Sequence, residues 1–186
     1  MNKPLLLVVT GSPASGKTTL AHILAEKIHC PVISRDEIKE GLLNTLGLAH
    51  GQMDKSIDLV VYETFFETID LLMSKGVSIV IEAAFQDKLW RPKLLNLIGK
   101  AHIKIVICKT NNQMINDRFA QRLSENPSRD KFHGDESFLL SKERFAELTD
   151  NYRPINMEVP TLQVDTTENY HPTIEEIIHF IFSDRI

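Results

Sequence analysis

The feature of this chain that most restricts its fold is the segment 11–18, which reads Gly-Ser-Pro-Ala-Ser-Gly-Lys-Thr. It matches the pattern G-x-x-x-x-G-K-[ST] at every defined position. Gly11 and Gly16 permit a backbone turn that a Cβ would obstruct, so that successive N–H groups can point inward at an anion. A turn of this kind connects a buried strand to a helix, and the segment therefore predicts a strand–loop–helix unit.

The residues on both sides of this segment have the pattern that such a unit requires. A continuous apolar run covers residues 5–9, as in a strand buried on both faces, and apolar residues recur at helical spacing from Leu20 to Ile28. We therefore expect a loop that binds a nucleoside triphosphate, with Lys17 at the β- and γ-phosphates and the Thr18 hydroxyl on Mg²⁺. The residues of this loop are Gly11, Ser12, Pro13, Ala14, Ser15, Gly16, Lys17, Thr18 and Thr19.

The order of the remaining apolar segments predicts the fold class. Further strands are expected at residues 31–34, 77–81, 103–108 and 161–164, and helices at 56–75, 88–100 and 112–123. Thr173 and Glu176 form the pattern of a capping box before a last helix. Strand–helix alternation predicts an α/β, P-loop NTPase fold with a five-stranded parallel sheet and helices on both faces.

One segment interrupts this alternation. Residues 124–136 are polar, contain Pro127 and Gly134, and show no clear period. Because a long polar loop inside a compact domain is more often functional than idle, we expect a lid here, with an exposed disordered loop as the alternative. The 186 residues are expected to form a single domain over 1–186 that carries this lid.

Composition narrows the classes of function. The net charge of -4 argues against a general nucleic-acid binder, although a local basic groove remains open. Without an apolar stretch of 18 residues, and with the first strand close to Met1, we expect no membrane span, no signal peptide and a cytoplasmic location. Cys30 and Cys108 lack metal-ligand spacing and are expected to be reduced thiols. The oligomeric state stays open.

Polar residues that follow the strands are the candidates for chemistry, because ligands of open parallel sheets bind beyond the carboxyl ends of the strands. Ser-Arg-Asp follows the second strand at residues 34–36, and Glu82 follows the third. Together with the phosphate-binding loop, this order resembles the small P-loop kinases that include phage polynucleotide kinase, chloramphenicol phosphotransferase and the zeta toxins, which are grouped as AAA-type predicted kinases. The resemblance implies ATP and Mg²⁺ as cofactors.

The resemblance also implies a catalytic role for Asp36. In those relatives the matching aspartate accepts the proton of the attacking hydroxyl, and a carboxylate that orients an acceptor alcohol suits phosphoryl transfer on chemical grounds. The alternative is that Asp36 only caps the helix expected at 37–46. Glu82 is expected to contact Mg²⁺-bound water or the substrate hydroxyl, with a solvent-exposed charge as the alternative.

Three arginines are further candidates. Asp-Arg at 117–118, followed by Arg122, resembles the step before the lid of adenylate-kinase-like enzymes, which implies that Arg118 stacks on adenine and Arg122 approaches the triphosphate. Arg129, inside the expected lid, is a candidate for stabilising charge on the transferred phosphoryl group.

These observations favour an ATP-dependent phosphotransferase that moves the γ-phosphate to a hydroxyl of an unidentified small-molecule acceptor. A polynucleotide 5′-hydroxyl kinase and a nucleotide-binding NTPase or regulator without an acceptor remain as alternatives. The residues considered as possible linings of the acceptor site are His50, Tyr62, Phe66, Phe85, Trp90 and Arg91.

Overall fold

A parallel sheet with helices on both faces forms the body of the protein in a computed structural model, which describes residues 3–126, 130–134 and 152–183. The strands are β1 (Leu5–Gly11), β2 (Val32–Ser34), β3 (Ile79–Glu82), β4 (His102–Lys109) and β5 (Thr161–Asp165). The helices are α1 (Lys17–Lys27), α2 (Arg35–Leu46), α3 (Lys55–Ser74), α4 (Asp87–Leu95), α5 (Asn112–Glu125), α6 (Asp130–His133) and α7 (Ile174–Phe182), with a 3₁₀ turn at His50–Gln52.

The strand order in the sheet is β2-β3-β1-β4-β5, and every neighbouring pair is parallel. This confirms the predicted five-stranded parallel sheet. Successive side chains of β1 alternate between two buried clusters, as side chains of a strand must. Leu6 packs in one cluster with Phe65 of α3 and Trp90 of α4, whereas Leu7 packs in the other with Leu24 of α1 and with residues of α7.

The pairing register determines which side chains meet at the carboxyl edge of the sheet. Glu82 of β3 is paired with Ser34 of β2 on one side and with Val9 of β1 on the other. Strand β1 therefore continues two residues beyond the level of Glu82, to Gly11. This edge is where polar residues selected from the sequence come together.

The structure corrects two helix predictions. The helix expected at 88–100 ends at Leu95, because Gly99 has a φ of 89° and the preceding residues form turns instead of a helix. The helix expected at 37–46 begins at Arg35, and its N-cap is Ser34, whose side chain accepts the Glu37 N–H. Asp36 therefore lies in the first turn and is not the capping residue.

The aromatic residues considered as acceptor linings are mostly core residues. Phe66, Phe85 and Trp90 are at most 6% exposed and pack against one another with ring centroids 5.1 to 5.6 Å apart in the pairs that include Trp90. Their contribution is to the packing of α3 and α4 on the sheet. Within the described ranges, no helix is both long and apolar enough to span a bilayer, and Cys30 and Cys108 are free thiols.

Candidate active site

The loop between β1 and α1 has the backbone of an anion-binding site. Ala14 and Gly16 have positive φ angles of 58° and 80°, and the Ser15 N–H donates to the Ser12 carbonyl at 3.1 Å. Gly16 is the N-cap of α1 and provides no side-chain cap for its first N–H groups. These N–H groups and the helix dipole are therefore available to a negatively charged ligand.

Gly11, the last residue of β1, is required because it lies close against its sheet partner Cys108 in β4. A Cβ added to Gly11 would lie 2.2 Å from Ser15 Oγ and 2.7 Å from the carbonyl oxygen of Cys108. The second contact is with the backbone of a central strand, which cannot move without disturbing the sheet. Only glycine fits at this position without displacing its neighbours.

Helix α5 packs against the phosphate-binding loop at Ala14. Ala14 is 2% exposed and packs with Ile115 and Phe119, while the Arg118 guanidinium donates to the Ala14 carbonyl at 3.1 Å. A non-glycine residue in the left-handed region costs about 1–2 kcal/mol. The contacts with α5 hold Ala14 in this conformation.

Arg118 also ties the loop to the end of β5. Its guanidinium donates to the carbonyl of Thr166 and, at 3.4 Å, to that of Thr167. Thr166 in turn donates its hydroxyl to the Ser15 carbonyl at 2.6 Å. Arg118 thus connects the loop to the segment after β5, a role that the sequence did not indicate. Its stacking on adenine stays a prediction. Thr166 belongs to the polar residues directly after a strand that the sequence marks as candidates, but the sequence assigns it no role.

Glu82 is buried beneath the loop instead of facing solvent. It is 1% exposed, its Oε2 accepts the Ser34 hydroxyl at 2.8 Å, and its Oε1 lies 3.7 Å from Lys17 Nζ. Burial raises the pKa of the Glu82 carboxyl, and the Lys17 ammonium acts in the opposite direction. The register of β2 and β3 brings Ser34 and Glu82 together, which the sequence could not show.

Thr18 and Glu82 fit the requirements of a Mg²⁺ site. Glu82 Oε1 is buried without a hydrogen-bond partner in the part of the chain that the structure describes, and hydroxyl and carboxylate oxygens are ligand types that Mg²⁺ prefers. The described residues contain no group of three or more His, Cys, Asp or Glu side chains that could hold a metal alone. This agrees with the usual way in which Mg²⁺ is bound, through one or two protein ligands together with phosphates and waters.

Asp36 is held in its ionised form by neighbouring cations. Arg35 Nη1 and Lys39 Nζ lie 3.4 Å and 4.0 Å from Asp36 Oδ1, and Lys39 is almost completely buried. Burial acts to raise the pKa of Asp36, but the charges of Lys39, Lys17 and Arg35 outweigh it and hold the pKa below its usual value. Asp36 therefore presents a carboxylate at neutral pH.

Two cavities adjoin the start of α1, and we call them the α5 cavity and the α2 cavity. The α5 cavity has a volume of about 360 Å³ and is lined by Gly16, Arg118 and residues of α5 and of 166–170. The α2 cavity has a volume of about 310 Å³. Its lining residues are Thr18, Thr19, Ser34, Asp36, Glu37, Glu40 and Arg122. Both cavities include Thr19 and Arg122, so Arg122 stands between them.

The segment expected to be a lid is described only in part. Arg129 lies outside the described residues, as do 127–128 and 135–136. Within the segment, 130–133 form helix α6, whose His133 pairs with Glu40 of α2. Gly134 approaches the 3₁₀ turn, where a Cβ would lie 2.8 Å from His50 Cδ2. The described part therefore packs beside the α2 cavity, and closure over ATP stays a prediction.

Comparison with known families and proteins agrees with this geometry. The model of the family AAA_33, described as an AAA domain, matches residues 6–155. Uncharacterized proteins of Mycobacterium tuberculosis and Mycobacterium bovis are 28% identical over 131 residues, which is 65% of this chain. The match spans about a quarter of those relatives, 26% of their length.

Several solved structures share the fold. A candidate kinase from Chloroflexus aurantiacus superposes with a TM-score of 0.80 at 23% identity, over 98% of this chain and 96% of that one. The Mycobacterium tuberculosis APS kinase CysC, in complex with AMPPNP and APS, gives a TM-score of 0.61 at 15% identity, over 97% and 99%. A gluconokinase from Sinorhizobium meliloti gives 0.59 at 16% identity, over 98% and 92%. The fold of this chain is thus the fold of P-loop kinases.

Proposed function

The chain belongs to the AAA domain family that matches residues 6–155, and we propose that it is an ATP-dependent phosphotransferase that acts on a hydroxyl of a small molecule. The observation that carries the proposal is the pair of cavities that meet at Thr19 and Arg122 beside the phosphate-binding loop. A transferase needs two sites that meet at the transferred group, whereas an NTPase without an acceptor needs only one.

ATP is assigned to the α5 cavity. Gly16 and Thr19 line this cavity, so that the triphosphate would extend from it onto the loop and the start of α1. Lys17 would leave Glu82 and contact the β- and γ-phosphates. Thr18 and Glu82 would hold Mg²⁺, which when bound neutralises charge on the phosphates. The structural relative that contains AMPPNP, the APS kinase, supports this assignment through its fold.

The acceptor is assigned to the α2 cavity, with Asp36 as the group that orients it. The acceptor oxygen attacks the γ-phosphorus, the bond from that phosphorus to the bridging oxygen of ADP breaks, and the hydroxyl proton passes to Asp36. A carboxylate with a lowered pKa is a weak base, so its main contribution is a hydrogen bond that aligns the hydroxyl until the proton becomes acidic in the transition state.

Arg122 is assigned to the transferred phosphoryl group. Among the described lining residues it is the cation common to both cavities, and a cation there would stabilise charge on the transferring group. Arg129 is proposed as a second such cation, on the basis of the family resemblance.

The test compares two substitutions, each of which neutralises one of the two carboxylates that contact Arg35. Arg35 Nη2 lies 3.1 Å from Asp58 Oδ1, and Arg35 Nη1 lies 3.4 Å from Asp36 Oδ1, but only Asp36 lines the α2 cavity. Transfer from [γ-³²P]ATP to a panel of sugars, nucleosides and oligonucleotides is measured for Asp36→Asn and Asp58→Asn. We expect Asp36→Asn to lower transfer about 100-fold at unchanged ATP affinity, and Asp58→Asn to leave it within about twofold.

Two results would contradict the proposal. Hydrolysis of ATP without transfer to any acceptor would favour the NTPase alternative. Equal transfer by the two variants would show that Asp36 does not assist the acceptor.

A further inference from the structure

We infer that the side-chain hydroxyls of Thr10 and Tyr152 position the phosphate-binding loop for ATP. Their oxygens lie 2.8 Å apart, and either oxygen can donate the hydrogen bond that joins them. Thr10 directly precedes Gly11, the first residue of the loop. The inference rests on the ATP-binding part of the proposed function, and it assigns a positioning role to the two residues without a contact to the nucleotide.

Thr10 connects the end of β1 to the chain after β3. The Ala83 N–H donates to the Val9 carbonyl at 3.4 Å, at the end of the pairing between β3 and β1. The chain then turns, and the Phe85 N–H donates to the Thr10 hydroxyl oxygen at 3.0 Å. Thr10 and Phe85 are both 0% exposed, and a buried N–H without an acceptor is costly. This bond therefore fixes the turn after Glu82 against the end of β1.

The chain that follows Tyr152 is bonded to the same turn. The Ile155 N–H donates to the Phe85 carbonyl at 3.1 Å, and Ile155 is 2% exposed in the buried cluster that contains Phe85. The Asp87 N–H donates to the Arg153 carbonyl at 3.3 Å. These contacts hold the backbone next to Tyr152, so that its hydroxyl meets Thr10 from a fixed position.

The Tyr152 phenol stays protonated at neutral pH. Burial raises its pKa to about 12, although the hydrogen bond with Thr10 and the backbone of Gly11 act in the opposite direction. A protonated phenol can donate and accept, as can the Thr10 hydroxyl, which has two lone pairs and already accepts the Phe85 N–H. The link between the two hydroxyls is therefore available at every pH at which the protein would bind ATP.

The segments that this network joins carry the groups assigned to the triphosphate and to Mg²⁺. Strand β1 leads through Gly11 into the loop, and β3 ends at Glu82, whose carboxylate lies 3.7 Å from Lys17 Nζ. Loop N–H groups and the Lys17–Glu82 pair must act on the same triphosphate, and a misplacement of about 1 Å is enough to impair such a site. The two hydroxyls hold the start of the loop in register with Glu82.

The experiment measures the Kd for ATP with Mg²⁺ by calorimetric titration, at a temperature where circular dichroism shows each variant to be folded. Tyr152→Phe removes the phenol hydroxyl and keeps the ring, and Thr10→Val removes the threonine hydroxyl at nearly constant shape. We expect each variant to raise Kd about tenfold, because a displaced loop weakens a hydrogen bond to a charged phosphate, and such a bond is worth about that factor.

The double variant tests whether the two hydroxyls act as a pair. Once Thr10→Val has removed the partner, the phenol hydroxyl has lost the contact through which it acts on β1. We expect Thr10→Val combined with Tyr152→Phe to have a Kd within about twofold of Thr10→Val alone. A double variant about tenfold weaker than Thr10→Val would show independent effects and would overturn the inference.

Two further variants serve as controls. Thr10→Ser retains the hydroxyl and should bind ATP within about threefold of the wild type. Thr68→Val removes a hydroxyl that donates to the Thr64 carbonyl at 2.8 Å within α3, a helix that contributes no described residue to the lining of the α5 or the α2 cavity. Thr68→Val should leave the Kd unchanged.

The outcomes separate this inference from the proposed function. A lower Tm for Tyr152→Phe at the Kd of the wild type would overturn it, because the hydroxyls would then stabilise the fold without positioning the loop. Equal Kd values for Thr10→Ser and Thr10→Val would also overturn it, since the hydroxyl would not be the cause. A wild type that binds no ATP contradicts the nucleotide assignment, and the inference falls with it. ATP binding that responds to these variants, without transfer to any acceptor, counts against the phosphotransferase and still supports the inference.

Discussion

Replacing Gly11 by alanine tests whether the phosphate-binding loop is shaped by its contact with β4. The new methyl group would lie 2.2 Å from Ser15 Oγ, 2.7 Å from the Cys108 carbonyl oxygen and 3.0 Å from Cys108 Cβ. The serine hydroxyl can rotate away from the methyl group. The Cys108 backbone cannot, because Cys108 is paired with Gly11 on one side and with Val164 of β5 on the other.

The cost follows from this geometry. Inserting a methyl group into a well-packed interior costs about 1–3 kcal/mol, because the neighbours must shift. For a chain of this size, about 2 kcal/mol lowers Tm by roughly 4–8 °C. The same shift displaces the loop N–H groups from the phosphates, and a misplacement of about 1 Å is enough to lower activity about 100-fold.

Gly41→Ala is the matched control. Gly41 lies inside α2, has no positive φ, and has no atom within 4 Å of the position that a new methyl group would take. Alanine there should stabilise the protein by about 0.5–1 kcal/mol, because glycine is the poorer residue in a helix interior. The same substitution therefore has opposite signs at the two positions.

Thermal unfolding followed by circular dichroism gives Tm, and calorimetric titration with ATP and Mg²⁺ gives the affinity. We expect Gly11→Ala to unfold at a lower temperature and to bind ATP weakly, and Gly41→Ala to unfold at the same or a higher temperature with normal ATP binding. An unchanged Tm and normal ATP affinity for Gly11→Ala would refute the argument from close packing.

Three further predictions concern the same site. Lys17→Met should abolish measurable ATP binding by calorimetry, because no other group of the loop supplies a point charge; wild-type affinity would remove the basis of the nucleotide assignment. Thr166→Val should cost about 1–3 kcal/mol in chemical denaturation, because the buried Ser15 carbonyl loses a 2.6 Å hydrogen bond, and a loss below about 0.5 kcal/mol would contradict this. The stabilisation from ionised Asp36 is present above its unfolded-state pKa of 3.8 and is lost as pH falls through the lower folded-state pKa. Asp36→Asn should therefore be less stable than the wild type at pH 7 and lose this difference in strong acid; a pH-independent difference would exclude the ion pairs as its source.

The sequence predicted the fold class because its strongest signals are local. The glycines of segment 11–18 and the apolar runs on either side specify strand, loop and helix without reference to distant residues. The capping box of Thr173 and Glu176 was predicted on the same basis and is present, with both reciprocal hydrogen bonds formed. Helix ends were less predictable, as the early end of α4 at Leu95 shows, because local turns compete with helical propensity.

Only the tertiary structure decided the partners of the site residues. The register of β2 and β3 places the Ser34 hydroxyl on one oxygen of Glu82, and the start of α1 places the Lys17 ammonium 3.7 Å from the other oxygen. These two contacts stabilise the charged side chain that is buried there. Arg118 and Thr166 are likewise 48 residues apart in sequence, and only the folded structure brings them into hydrogen-bond contact beside the loop. A pattern along the chain specifies which residue types follow each strand. Distances between residues far apart in sequence depend on how the strands are ordered and registered, and these distances determine the charges and cavities on which the chemistry depends.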